Sequence, residues 1–335
     1  ATCQAMATKR KSDDVDADAD AASHPFSTLS VFSYTNDVQA VAFARADAHA
    51  ATQGALHCLF APPSSRASEM FSYTASADGV FVLVDAAAAH LLGGARGDAW
   101  RCLYIHEGST DKKGDETEGT IAALSARLAA EEVSVLDVTT LARNFMLVRA
   151  DAAERALRTL QESLSRGRAL LAARPQLSRP PPLRLALLPP RLAIGALSLA
   201  ELPACAHALL RLVFLPRSPH AFLHYFEMGG EVSLIVEEAP LDALCTADGG
   251  GGDDACAGGE ALRAALAPSL SRGWRAISVA AAQGAEAVGI LSALTSRIRA
   301  PIMNVSSLDT NFILVRDADV AAVRAQLLPD YEIAQ

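Results

Sequence analysis

Histidine and cysteine carry much of the metal and nucleophile chemistry open to a protein, and neither is arranged for it in this chain. None of the eight histidines falls in metal-ligand spacing. His220 and His224 stand four apart, but their segment reads as a loop entering a strand, not as a helix that would place both on one face. The six cysteines, Cys3, Cys58, Cys102, Cys205, Cys245 and Cys256, are scattered without CxxC spacing. Cys58, Cys102 and Cys205 read as small hydrophobes in apolar surroundings. Cys245 and Cys256 flank a glycine-rich loop and would pair only in an oxidising compartment; a reduced, intracellular setting fits the scatter better. That loop, four glycines after Asp248, lacks the lysine and the strand-to-helix setting of a phosphate cradle. There is no nucleophile elbow and no paired-carboxylate motif. The expectation is therefore a protein that is not an enzyme, with no cofactor and no metal.

Binding remains, and composition narrows it. The formal charge is −9 over 335 residues, without a Lys/Arg-dense stretch, which argues against a phosphate-backbone partner and so against nucleic acid. No uncharged apolar run approaches the roughly 20 residues of a membrane span. Half the residues are apolar (51%), enough for a packed core. The first 25 residues are polar and acidic, and read as a disordered tail without the apolar region of a secretory signal. The expected setting is cytoplasmic, with a plastid left open because the chain starts at Ala1.

The elements that would position a site come from a repeat. Asp137–Asp151 and Asn304–Ala318 share Asn-Phe-x-Leu-Val-Arg, with Val138 matching Val305 at an offset of 305 − 138 = 167. Trp100-Arg101 matches Trp274-Arg275, and Tyr73 matches Tyr225. The offset drifts from 214 − 60 = 154 at the Phe60/Phe214 pair, so the halves differ by loop lengths. The halves are expected at 26–165 and 183–335, joined by a Pro-rich linker at 166–182, with a flexible Gly/Asp loop at 247–259.

Each half reads alike. Residues 79–84 and 231–236 alternate as half-buried strands, entered by hairpin turns at Asp78-Gly79 and Gly229-Gly230. A Trp-initiated strand, a helix, two strands and a second helix follow. Ile121, Leu124 and Leu128 make one apolar stripe, and Ile290, Leu294 and Ile298 its counterpart. The strands are placed at 133–138, 144–149, 301–305 and 311–316, with helices over 151–164 and 317–328. The order β-α-β-β-α-β is that of ferredoxin-like modules: an α+β fold with antiparallel sheets and helices on one face.

With Trp-Arg, then glycine and a helix, then Val-x-Val-x-x-x-(Ser/Thr)-(Ser/Thr), then (Asp/Asn)-Phe-x-Leu-Val, the chain resembles the tandem ACT proteins of the CASTOR type. Leu209–Ser218 and Ser306–Asp317 are the closest local matches. The resemblance implies duplicated tandem ACT modules and an amino-acid sensor whose ligand lies between the second modules of the two halves. It places the ligand contacts at Ser134, Val135, Gly284, Ala287, Val288, Gly289, Ile290, Ser307 and Asn311. Acidic residues that hold a cationic ligand in the arginine sensors fall here at Ala287 and Asn311, so a neutral amino acid is implied. An acid-rich loop carrying Glu107, Asp111, Asp115, Glu116 and Glu118 is available to an amine. The functional expectation is a non-catalytic regulatory protein acting through ligand-dependent contact with a protein partner, a homodimer being compatible. The alternative is a ligand-free ACT scaffold or structural subunit of a larger complex.

Overall fold

The structure is a computed structural model and describes residues 29–60, 68–93, 96–107, 120–141, 143–165, 183–215, 220–245, 253–281, 289–307, 310–328, 330–331 and 333–334. The first half comprises β1 (Leu29–Ala44), α1 (Ala48–Phe60), β2 (Met70–Ser76), β3 (Gly79–Asp85), β4 (Arg96–Glu107), α2 (Thr120–Ala130), β5 (Val135–Thr139), β6 (Asn144–Arg149) and α3 (Ala153–Ser165). The second begins with β7 (Leu183–Leu187), β8 (Leu192–Ser198), α4 (Leu202–Leu209), β9 (Phe222–Met228), β10 (Glu231–Glu237) and α5 (Glu238–Cys245). It continues with α6 (Asp253–Leu266), β11 (Ser271–Ala281), α7 (Ile290–Thr295), β12 (Ile302–Ser306), β13 (Thr310–Arg316), α8 (Val320–Leu327) and β14 (Ile333–Ala334).

Local chemistry explains these elements. In α3 the buried Ala156 and Leu160 recur one helical turn apart and face the sheet. At Gly229 and Gly230 the backbone has φ of 65° and 87°, and Met228 pairs with Glu231 across the turn. Two consecutive positive φ values are what a two-residue hairpin needs and what most side chains resist. In β3, Val80, Val82 and Val84 point to one core and Phe81 and Leu83 to another, so both faces are buried. β1 runs through both modules of its half, bulging between Ser33 and Asp37. Its counterpart is cut into β7 and β8 at Pro189-Pro190, where two prolines remove consecutive donors from the ladder.

Among the described residues the strands are antiparallel, except the β7–β14 pair. Their order is β13-β12-β5-β6-β4-β1-β3-β2-β9-β10-β8-β11, with β7 and β14 continuing from β11. β11 also pairs with β13, from Trp274↔Arg316 to Ala280↔Thr310, so the run returns on itself. Two joints link the halves, and both fall on repeat-equivalent residues. Tyr73 pairs with Tyr225 in the β2–β9 ladder, and Val138 pairs with Val305 between β5 and β12. A pseudo-two-fold axis therefore passes through both joints.

Among the described residues, the buried side chains of the two clusters inside the ring all come from strands. Trp100, Phe145 and Phe226 lie in one inner cluster, and Phe222, Trp274 and Phe312 in the other. Phe145 sits 4.7 Å from Phe226 between ring centroids, and Phe222 4.4 Å from Phe312. Helices cover the outer face, α2 and α3 on one side and α7 and α8 on the other. Gly54 in α1 meets the backbone of Leu91 so closely that a Cβ there would lie 2.2 Å from the Leu91 oxygen.

The flexible loop expected at 247–259 needs correction. From Asp253 onward the segment is the first turns of α6, and Gly258 and Gly259 are buried. Gly258 packs on α4, where a Cβ would lie 3.7 Å from the Ala208 nitrogen, an ordinary contact. Residues 246–252 and the expected tail and linker lie outside the described residues.

Candidate functional site

The joint between the second modules carries the polar chemistry. β5 and β12 meet at one register pair, Val138↔Val305, while α2 packs against α7 above them. Alternation sends Leu136, Val138, Met303 and Val305 into the ring. The intervening Asp137, Thr139, Asn304 and Ser306 take the opposite, helix-covered face, and all four are buried. The Asp137 amide donates to Ser306 Oγ at 2.9 Å, and Thr139 Oγ1 donates to Asp137 Oδ2 at 3.5 Å. Among the described residues Asp137 Oδ1 and Asn304 Oδ1 have no hydrogen-bond partner, nor does Ser125 Oγ on α2.

Asp137 is wholly buried. Burial pushes its carboxyl up to about 8, against the opposing effect of hydrogen bonds from Thr139 and Asn304. It is therefore mostly protonated at neutral pH. Unpartnered buried acceptors are uncommon because each gives up water without a substitute. Two repeat-equivalent ones, Asp137 and Asn304 (304 − 137 = 167), flank the axis at this joint. Asp85 is also buried within the first half; its Oδ2 accepts from Tyr34 at 3.0 Å and from the Glu69 amide at 2.7 Å, while its Oδ1, like that of Asp137, has no partner among the described residues.

The positions expected to touch a ligand divide three ways. Gly284, Ala287 and Val288 lie outside the described residues. Ser134 and Val135 lead into β5, half-buried, and Asn311 lies half-buried on β13 opposite Ser306. Gly289 precedes α7 with φ of 80°, a conformation that favours glycine. Asn311 thus stands opposite Ser306 at the joint, and α7, which Gly289 opens, packs against α2. Ile290 and Ser307 have structural partners. Ile290 is 2% exposed in the apolar cluster under α7. Ser307 Oγ donates to the Thr310 carbonyl at 2.7 Å and accepts from its amide at 3.3 Å, closing the β12–β13 turn.

Asp137, Asn304 and Ser306 were not among the expected contacts. The signal was present: matching polar residues, 167 apart, interrupt two otherwise apolar buried strands. The histidines take ordinary partners. His220 Nε2 lies 2.7 Å from the Leu212 carbonyl, and His224 Nδ1 lies 2.9 Å from Thr74 Oγ1. Burial lowers His224 to about 3, so it is neutral.

No family model and no curated protein sequence matches the chain. Among solved structures it is similar to a Vibrio cholerae protein of unknown function, at 14% identity and a TM-score of 0.30, over 41% of this chain and 91% of that one. A protein from Agrobacterium tumefaciens is similar at 15% identity and a TM-score of 0.31, over 46% of this chain and 96% of that one. Aspartate kinase from Synechocystis is similar at 10% identity and a TM-score of 0.34, over 91% of this chain but 55% of the kinase. Likenesses this distant say nothing of activity, and the fold assignment rests on the register itself. The chain is an α+β protein of antiparallel strands with helices on the outer face. More particularly, it is a duplicated one, whose halves meet strand to strand on equivalent residues.

Proposed function

We propose that this chain is a non-catalytic regulatory protein that binds a neutral amino acid between its second modules and passes occupancy to a partner protein. One observation carries the reading: the joint between those modules buries polar groups that no described residue matches, Asp137 Oδ1 and Asn304 Oδ1. A carboxyl and a carboxamide side by side suit an ammonium group, with the carboxyl ionising as the cation arrives. The resemblance of each half to a pair of ACT modules supports the same location. Because the joint is a single register pair, the Asp137–Ser306 hydrogen bond and one helix contact, a ligand there would change how the halves meet.

A thermal-shift screen of the full chain against the twenty amino acids tests this. A ligand at 100 times its Kd should stabilise by about 2.7 kcal/mol. The Asp137→Asn variant should lose the shift while keeping its own cooperative transition. If no amino acid raises the transition, the scaffold reading replaces this one. That reading draws its own support from the ring, which joins the halves through the long β2–β9 ladder without any ligand.

A further inference from the structure

The two halves end differently, and the difference leaves one strand edge open. The start of β1 is the counterpart of β7. Val31 pairs with Ile105, and Leu185 with Val279, at repeat offsets of 185 − 31 = 154 and 279 − 105 = 174. In the second half the outer edge of β7 is taken. Ile333 and Ala334 of β14 lie parallel to it, opposite Leu185 and Ala186. Ile333 is 3% exposed and joins Leu185 and Tyr331 in the apolar cluster under α7 and α8.

The chain reaches that edge because α8 stops early. In sequence, Pro329 stands where the first half has Glu162, and proline cannot continue a helix. The Leu327 carbonyl accepts from the Asp330 amide at 3.0 Å and the Tyr331 amide at 2.8 Å, which turns the backbone toward β7. In the first half the helix runs on. Leu160 matches Leu327, at 327 − 160 = 167, yet α3 continues to Ser165. Ser163 and Leu164 are helical where their counterparts, Asp330 and Tyr331, make the turn.

The edge left behind has a definite chemistry. Among the described residues no strand lies beside Val31 on the side away from β4, because β3 joins β1 only from Val38 onward. Val31 is half-buried, whereas Leu185 is 2% exposed. Leu157 and Leu164 of α3 are half-buried in the same apolar cluster as Val31. Neither lysine nor proline guards Leu29–Ser33, and Ser30 and Ser33 are exposed. An added strand recognises such an edge through its main-chain groups, and alternate side chains give the selectivity.

We propose that the start of β1 is a docking edge for an extended segment of a partner protein, laid parallel to β1 with an aliphatic side chain beside Val31. The second half argues for this occupant, since Ile333 shows the direction, register and kind of side chain that the equivalent edge accepts. The partner's aliphatic residue fills the place beside Val31 and α3 that Ile333 fills beside Leu185. β4 and β6 separate this edge from β5, so the proposal does not depend on a ligand at the Asp137 joint.

The test is a nuclear magnetic resonance titration of the full chain with a synthetic peptide of residues 329–335, which carries the sequence of β14. The Ser30, Val31 and Ser33 amides should shift saturably, and the isoleucine methyls of the peptide should show cross-relaxation with the Val31 methyls. A second peptide with Ile333→Lys should bind at least about tenfold more weakly, because the aliphatic burial is lost. That change lies in the peptide, so it leaves the folding of the chain untouched. Signals that stay still, or equal binding of the two peptides, would overturn the proposal. Shifts confined to Leu185 and Ala186 would overturn it too, because the peptide would then only replace β14. A chain already dimeric in sedimentation, with its Val31 amide protected from exchange, would overturn the partner and put a second copy in its place.

Discussion

The amide of Asp137 donates to Ser306 Oγ at 2.9 Å, tying a strand of the first half to a strand of the second. Both residues are buried. Ser306→Ala would leave the Asp137 N–H without its acceptor, where water cannot easily replace it. The expected loss is about 1–3 kcal/mol of stability. Urea unfolding measures it, and a midpoint equal to the parent chain's would show that the bond contributes nothing.

The carboxyl of Asp137 gives a pH dependence with a definite sign. Its folded value is raised to about 8 by burial, above the roughly 3.9 of an unfolded aspartate. Stability linked to it is thus full below about pH 4 and is lost as pH rises through about 8. Asp137→Asn removes that titration. The difference in unfolding free energy between parent and variant should move in the variant's favour from pH 5 to pH 9. A difference flat across that range would mean that Asp137 is ionised in the folded chain.

Two glycine substitutions should have opposite signs. In a helix, alanine is favoured over glycine by about 1 kcal/mol. At Gly54 the new Cβ would sit 2.2 Å from the Leu91 oxygen, a backbone atom that cannot swing aside. Overpacking of that kind costs about 1–3 kcal/mol, so Gly54→Ala should be destabilising on balance. At Gly258 the nearest atoms lie at 3.7 Å, ordinary contact. Gly258→Ala should therefore raise stability by up to about 1 kcal/mol. Melting temperatures of the two variants decide the matter.

Phe312, 1% exposed, contacts Phe222 with ring centroids 4.4 Å apart inside the ring. Phe312→Ala removes a large side chain from a space that strands on every side keep from collapsing. The expected cost is about 3–5 kcal/mol in denaturant unfolding. A loss below about 1 kcal/mol would mean that the inner packing relaxes far more freely than cores of this kind do.

Much of the fold was legible because its signals are local. The Asn-Phe-x-Leu-Val-Arg repeat located β6 and β13, and the Gly229-Gly230 pair located a hairpin. α6 was misread because a segment rich in glycine and aspartate looks unable to bury surface, whereas Gly258 and Gly259 are buried and the helix goes on to bury Leu262 and Leu266. The closed ring was not legible. Alternation shows that a strand has two faces, and says nothing about whether β2 finds β9 or β11 finds β13. The site was half legible for a similar reason. Resemblance led to Gly289 and the β5 entry, but Asp137 and Ser306 matter through each other, across 306 − 137 = 169 residues of chain.

The self-pairing of Tyr73 with Tyr225 and of Val138 with Val305 has an evolutionary meaning. A residue that stands directly opposite its own counterpart is what results when a strand meets a second copy of itself across a true dyad. One half of this chain, present twice, would have both ladders available with no redesign. The present protein thus has the geometry of an ancestral homodimer fused into one polypeptide. Fusion freed each copy to vary alone, so that Asp137 could face Asn304, and Ser233 could stand where the other copy keeps Phe81.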